Sequence, residues 1–254
     1  MSKYYKALRL KNLYDPANTQ PYKISRSKID LFLNCPRCFY LDRRLGVGQP
    51  PGFPFHLNLA VDTLLKKEFD HYRFQQERHP LQIENNIDAI PFLHPKLEEW
   101  RDSLRHGVQA AVAQTNFILT GGVDDVWINT QTQELIIVDY KATSKQEVMT
   151  LEASWKISYK RQIEIYQWLF RQQGFRVSDL AFFVYCNGRT DFDHFHKKLE
   201  FDITLIPYKG KADWIEKAVQ QAYACLQEDN IPGHSADCDF CQYHLALEKV
   251  TELS

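Results

Sequence analysis

The N-terminal half of the chain shows the hydrophobic spacing of helices separated by irregular segments. Residues 56–74 carry apolar residues at helical spacing, which predicts an amphipathic helix. Residues 80–95 contain three prolines and are predicted to be irregular. Residues 96–114 are predicted to form a second helix. The residues expected to be buried on the first helix are Leu59, Leu64, Leu65 and Phe69.

From position 116 onwards the pattern changes to short apolar runs, which predict strands. Residues 135–138 form a continuous aliphatic run, as is typical of a central strand. Residues 156–173 and 211–227 have the spacing of amphipathic helices. This alternation predicts a mixed α/β fold with one sheet. Further strands are predicted at 116–120, 123–128, 180–185 and 198–206.

Length and charge narrow the classes of protein to consider. A chain of 254 residues is long enough for one sizeable core, and we predict a single domain, 1–254. The net charge of −1 indicates that the chain as a whole is not a basic nucleic-acid binder. Nucleic-acid binding would therefore depend on local clusters of basic residues. The sequence has no apolar run of about 18 residues, and its first residues are polar and basic. We therefore expect a cytoplasmic protein without a membrane partner.

Charged residues follow the aliphatic run directly. Asp139 closes the predicted strand, and Lys141 lies two positions later. Residues i and i+2 of a strand point to the same face, so Asp139 and Lys141 project together. Asp124 ends the preceding strand and supplies a second carboxylate. Two carboxylates can hold Mg²⁺ or Mn²⁺, and a nearby lysine can stabilise charge that develops on a phosphate, so this group suits phosphodiester hydrolysis.

Four segments, taken in order, resemble the motifs of one nuclease family. Residues 27–40, 121–126, 137–143 and 159–166 read SKIDLFLNCPRCFY, GGVDDV, IVDYKAT and YKRQIEIY. These segments resemble the signature of RecB-like nucleases in the PD-(D/E)XK superfamily, and they are similar to CRISPR-associated RecB-like exonucleases with a four-cysteine metal cluster. The resemblance spans roughly residues 24–241.

The resemblance implies a fold and its boundaries. The expected fold is an α/β restriction-endonuclease-like core, with a mixed central sheet flanked by helices. The nuclease core is expected at about 55–210. The segments 24–45 and 211–245 are expected to form a helical region that is joined by a four-cysteine site.

The resemblance also implies roles for individual residues. Asp124 and Asp139 would bind Mg²⁺ or Mn²⁺, together with the backbone carbonyl of Tyr140. Lys141 would be the catalytic lysine. Gln162 and Tyr166, which share one face of a helix, would position substrate or brace the site.

One further metal ligand is left open by the sequence. Many relatives place a histidine or glutamate on the first core helix, whereas the best match in this chain is Asp62. Glu68 is a second candidate on the same helix. The lack of a clear histidine or glutamate at this position leaves one alternative open, a catalytically inactive protein of the nuclease fold that binds nucleic acid or serves as an assembly subunit.

Four of the six cysteines form two C-x-x-C pairs at opposite ends of the chain. A set of four thiolates can hold Zn²⁺ or a [4Fe–4S] cluster. The relatives with an iron–sulfur cluster place one cysteine before the core and three after it, whereas this chain has two and two. The resemblance favours iron–sulfur, with zinc as the alternative. The four residues are Cys35, Cys38, Cys238 and Cys241.

The expected function is hydrolysis of single-stranded or duplex DNA in repair, recombination or defence processing. The sequence contains no G-x-x-x-x-G-K-[ST] loop, so any ATP-driven unwinding would come from a helicase or another subunit.

Overall fold

The computed structural model describes residues 8–52, 56–144 and 156–251. Strands and helices alternate along this part of the chain. The strands are β1 (Tyr22–Ser25), β2 (Ala89–Pro91), β3 (Val108–Ala111), β4 (Phe117–Gly121), β5 (Asp125–Asn129), β6 (Leu135–Thr143), β7 (Leu180–Gly188) and β8 (Phe201–Lys209). The helices are α1 (Arg26–Asn34), α2 (Pro36–Arg43), α3 (His56–Gln75), α4 (Pro80–Glu84), α5 (Leu97–Arg101), α6 (Ile157–Gln172), α7 (Ile215–Gln227) and α8 (Asp239–Thr251).

The chain divides into two compact units. The sheet unit consists of Pro54–Ala110 and Thr120–Ala212. The terminal unit consists of Met1–Phe53, Ala111–Leu119 and Asp213–Ser254. The predicted active-site residues all belong to the sheet unit, and the four paired cysteines all belong to the terminal unit.

The sheet unit is built on a five-stranded mixed sheet in the order β2-β5-β6-β7-β8. The β6–β7 pair is parallel, and the other three pairs are antiparallel. The aliphatic run of β6 lies at the centre of this sheet, where a strand is covered on both faces and cannot alternate with polar residues. The predicted mixed α/β class is confirmed, although the described residues form two sheets rather than one. The second sheet has three strands in the order β1-β4-β3.

Helix α3 covers one face of the sheet. Phe69 of α3 packs in a core cluster with Trp127, Val138 and Tyr140. The predicted stripe on this helix was half wrong, because Leu59 and Leu64 are 62% and 63% exposed. The buried positions of α3 recur every four residues, and the two leucines lie off that line. The buried positions are Leu65, Phe69 and Arg73.

The terminal unit packs helices α1, α2 and α7 against one another. Its aromatic core contains Tyr14, Phe117 and Tyr223, whose rings meet edge to face. Tyr40 of α2 donates a hydrogen bond over 2.9 Å to the carbonyl of Glu228, just beyond α7. The first and last segments of the chain therefore form one core.

The predicted helix over 96–114 is wrong. Helix α5 ends at Arg101, and strand β3 begins at Val108. Gly107 adopts a φ of +70°, and a Cβ at this position would lie 2.6 Å from the carbonyl oxygen of Gly121. A left-handed turn at a close backbone approach ends the helix there, because residues other than glycine are strained in it. The segment 80–95, predicted to be irregular, contains the short elements α4 and β2.

Across the described ranges, no helix has both the length and the apolar character needed to cross a membrane.

Candidate active site

Asp124 and Asp139 come together at the end of the β5–β6 pair. The antiparallel register pairs Asp125 with Val138, and the next position brings Asp124 opposite Asp139. Asp139 is fully buried, and the pKa of its carboxyl group is raised to about 7, with burial as the largest cause. The adjacent Asp124 carboxylate raises the pKa of Asp139 further, whereas Lys141 opposes the rise. Two carboxylates this close repel each other, so a cation at this point would relieve the repulsion.

Lys141 supplies one positive charge beside the carboxylates. Its ammonium forms an ion pair with Oδ2 of Asp139, an atom that accepts no hydrogen bond of regular geometry from the described residues. Burial would lower the pKa of Lys141, but Asp139 and Asp124 outweigh burial and raise it. The Lys141 ammonium also lies 4.6 Å from the ring centroid of Tyr159. The lysine is therefore charged and held on the face of β6 that it shares with Asp139.

Helix α6 contributes the amide that links these groups. Gln162 Nε2 donates hydrogen bonds to Asp139 Oδ1 over 2.7 Å and to the Tyr166 hydroxyl over 3.2 Å. Its Oε1 accepts a hydrogen bond from Lys141 Nζ over 3.5 Å. Gln162 and Tyr166 are four residues apart, so they share one face of the helix. The structure thus brings together four of the residues that the motifs single out: Asp139, Lys141, Gln162 and Tyr166.

Two glycines before Asp124 allow close packing at the site. A Cβ on Gly121 would lie 2.5 Å from Cε1 of Tyr166, and a Cβ on Gly122 would lie 2.5 Å from Cβ of Ser103. Both distances are below those that real Cβ atoms tolerate. Glycine at 121 therefore fixes how closely Tyr166 approaches the strand that leads to Asp124.

Sequence reasoning missed a buried ionic network behind the site. Asp125 is fully buried and accepts hydrogen bonds from the hydroxyl of Tyr140 over 2.8 Å and from the indole of Trp127 over 3.2 Å. The guanidinium of Arg73 also pairs with Asp125. Arg101 lies 3.4 Å from the same carboxylate and donates to the backbone carbonyl of Asp124 over 3.2 Å. The network anchors the turn that carries Asp124.

The backbone of Tyr140 lies beside Asp124. Its N–H donates a hydrogen bond over 2.9 Å to Oδ2 of Asp124. Its side chain points to the opposite face of the sheet from Asp139, as the strand alternation predicts.

The two candidates for a further ligand lie in different surroundings. Asp62 Oδ2 is 2.9 Å from Lys66 Nζ, and the same ammonium is 3.6 Å from Asp124 Oδ1. Glu68 is paired with His79 Nε2 over 2.8 Å instead. Of the two candidates, only Asp62 shares an ion-pair partner with Asp124, the ammonium of Lys66. Within the described ranges, no three carboxylates or histidines bring their ligand atoms within 4.8 Å of one another.

The family assignment follows from a comparison with known families. The model of the PD-(D/E)XK nuclease superfamily matches residues 23–245, which is most of the chain. The chain belongs to the PD-(D/E)XK nuclease superfamily. The members of this superfamily are in general hydrolytic nucleases that use divalent metals. The predicted restriction-endonuclease-like fold class is thereby confirmed.

Other comparisons add little to this superfamily assignment. No curated protein matches the chain. A solved structure described as "Crystal structure of SSO0001" is 14% identical, with a TM-score of 0.38, and the match covers 94% of this chain and 86% of that one. A likeness at this TM-score establishes neither fold nor function.

The donor set of this candidate site fits a hard divalent cation. Asp124 and Asp139 offer carboxylate oxygens, the ligands that Mg²⁺ and Mn²⁺ prefer. The repulsion between the two carboxylates points to a position for positive charge beside them.

The second group of potential metal ligands is the set of four cysteines in the terminal unit. All four are buried, and their sulfur atoms lie within 4.8 Å of one another. The structure therefore brings together the two C-x-x-C pairs from opposite ends of the sequence. Of the other two cysteines, Cys186 is buried and Cys225 is half-buried.

Proposed function

We propose that this chain is a divalent-metal-dependent deoxyribonuclease of the RecB-like branch, acting in DNA repair, recombination or defence processing. The observation that carries the proposal is the convergence of Asp139, Lys141 and Gln162 where β6 passes the end of its pairing with β5, with Asp124 opposite. A carboxylate pair beside a charged lysine suits metal-assisted phosphodiester hydrolysis.

In this proposal some residues act on the metal or the substrate, and others hold those residues in position. Asp124, Asp139 and the carbonyl of Tyr140 hold Mg²⁺ or Mn²⁺. When bound, the metal neutralises charge on the phosphate and supplies an activated water. Lys141 stabilises the negative charge that develops on the phosphate oxygens, because its ammonium is already held on that face of the strand. Gln162 keeps both Asp139 and Lys141 in place, and Tyr166 supports Gln162.

Asp62 is the proposed additional ligand. It shares Lys66 with Asp124, so its carboxylate already takes part in the electrostatics of the site, whereas Glu68 is paired with His79. A metal between Asp62 and Asp124 would require the Lys66 ammonium to move aside. Replacing Lys66 with Met tests this point: metal affinity should be kept or increased, and the exposed Lys67→Met serves as the control.

The substrate proposed is DNA, single-stranded or duplex. Because the sequence has no phosphate-binding loop for ATP, a helicase or another repair or defence subunit is the proposed source of unwinding. Purified protein with labelled single strands, duplexes and RNA, in Mg²⁺, Mn²⁺ or chelator, tests the proposal. Metal-dependent cleavage of DNA supports it, and cleavage that persists in chelator contradicts it.

The position of Lys66 favours one alternative, a nucleic-acid-binding or assembly subunit without catalysis. An ammonium within 2.9 Å of Asp62 and 3.6 Å of Asp124 competes with a metal for the same carboxylates. In this case the protein would bind DNA equally well in chelator and in Mg²⁺, and no product would form with any substrate in the panel.

A further inference from the structure

The four cysteines are too close together for the cluster that the family resemblance implies. Sγ of Cys38 lies 3.6 Å from Sγ of Cys238 and 3.6 Å from Sγ of Cys241. Sγ of Cys35 lies 3.8 Å from Sγ of Cys241. These three distances are nearly equal, as the edge lengths of a regular tetrahedron would be. The centre of a tetrahedron with such an edge lies about 2.3 Å from each corner, which is the length of a Zn–S bond.

A [4Fe–4S] cluster needs a wider arrangement. Each of its four thiolates binds a different iron, and the cube of four irons and four sulfides lies between them. Four sulfur atoms that all lie within 4.8 Å of one another enclose space for one ion, not for a cube of eight atoms. The even division of the cysteines into two C-x-x-C pairs is also the spacing of structural zinc sites.

We infer that Cys35, Cys38, Cys238 and Cys241 hold a single Zn²⁺ rather than an iron–sulfur cluster. Four thiolates complete the tetrahedral coordination of Zn²⁺, so the ion has no open position for substrate. Among divalent ions, zinc binds such a site more tightly than ferrous iron does. The role is therefore structural, and the inference does not depend on the proposed nuclease activity.

Helix α8 shows what the ion holds in place. Of its residues only Cys241 is buried, and the other twelve are exposed. A cavity of about 370 Å³ lies beside the helix, lined by residues such as Leu41, Val47 and Leu247, so α8 is not close-packed on this side. Burial of apolar surface thus contributes little to holding α8. Metal–thiolate bonds that join Cys241 of α8 to Cys38 of α2, 203 residues earlier in the sequence, supply the attachment.

The test uses the full-length protein purified without oxygen, so that an iron–sulfur cluster would survive. Metal analysis should give about one zinc per chain and no acid-labile sulfide. X-ray absorption at the zinc edge should show sulfur neighbours at about 2.3 Å and no second metal nearby. A brown protein with iron and sulfide overturns the inference, as does a single iron or a protein free of metal.

A variant experiment tests the attachment of α8. The double change Cys238→Ser and Cys241→Ser should abolish zinc binding, and amide hydrogen exchange over residues 238–251 should rise to the rate of an unfolded segment. Cys225→Ser, a half-buried cysteine of α7 outside the site, is the matched control and should keep both zinc and protection. Unchanged exchange over 238–251 in the double variant would show that packing, rather than metal, holds the helix. If the double variant does not fold, removal of zinc from the wild-type protein with a chelator gives the same readout.

Discussion

The side-chain amide of Gln162 donates a hydrogen bond to the buried carboxylate of Asp139 over 2.7 Å. The same side chain accepts a hydrogen bond from Lys141. Gln162 therefore acts as a positioning residue that orients both charged groups of the proposed site. Groups that orient metal ligands typically change metal affinity or activity by about 10- to 100-fold when removed.

Replacing Gln162 with Leu should reduce kcat by about 10- to 100-fold and weaken Mn²⁺ binding, because Asp139 and Lys141 lose a shared partner. Thermal unfolding and titration calorimetry with Mn²⁺ separate this effect from simple loss of fold. Gln172→Leu, at an exposed position of the same helix, is the control. Equal metal affinity in the two variants would contradict a positioning role for Gln162.

Gly121 should be intolerant of alanine. A Cβ there would lie 2.5 Å from the ring of Tyr166, so the ring would have to shift and would carry Gln162 with it. Overpacking of this kind costs about 1–3 kcal/mol of unfolding free energy. Gly233→Ala is the matched control, since a Cβ there meets nothing within 4 Å.

Urea denaturation of the two glycine variants measures the difference. Gly121→Ala should also lower DNA cleavage, whereas Gly233→Ala should leave it unchanged. If Gly121→Ala kept both its stability and its activity, the close approach of Tyr166 would have no importance for the site.

The network around Asp125 should contribute strongly to stability. Replacing Arg73 with Met removes one partner from a buried ion pair and leaves the Asp125 carboxylate less compensated. Such changes cost about 3–5 kcal/mol of unfolding free energy. Arg78→Met is the control, because the pair of Arg78 with Asp88 is exposed and should contribute at most about 1 kcal/mol. Chemical denaturation of both variants is the measurement. Similar losses of unfolding free energy in the two variants would show that the buried pair is no more important than the exposed one.

Asp42 should make the terminal unit sensitive to acid. Burial alone would raise the pKa of Asp42, but hydrogen bonds and charge from Lys28 and Arg43 outweigh burial and hold that pKa below the usual carboxyl value. The stabilisation is thus complete above the usual carboxyl pKa and is lost as the pH falls through the lowered value.

The free energy of unfolding of the wild-type protein should therefore decrease more steeply between about pH 5 and pH 2 than that of Asp42→Asn. Urea denaturation at a series of pH values gives both curves. Curves that run parallel would mean that Asp42 does not carry the acid sensitivity.

Local periodicity predicted the first part of β6, the strand that contains Asp139 and Lys141. Residues 135–138 are continuously aliphatic, and the i, i+2 rule placed Asp139 and Lys141 on one face. The family motifs indicated Gln162 and Tyr166, but the hydrogen bonds between them depend on how α6 packs on the sheet. Tertiary distances of this kind are not encoded in spacing along a single element.

Other features depend on contacts between distant segments. The burial of Asp125 was not predicted, although its i, i+2 spacing from the apolar Trp127 was an available signal. Helix 96–114 was predicted from local spacing, which the left-handed turn at Gly107 overrides. The position of Lys66 beside Asp124 depends on the placement of α3 along the sheet.

Single-turnover cleavage of labelled DNA by the wild-type protein and by Asp139→Asn and Lys141→Met is the most direct test of the proposed nuclease site. The wild-type protein should cleave in Mg²⁺ or Mn²⁺ and not in chelator. Each variant should lose at least about 100-fold in rate while keeping its fold, and Asp179→Asn, at an exposed position, should not. Metal-dependent cleavage that survives both Asp139→Asn and Lys141→Met would contradict the account.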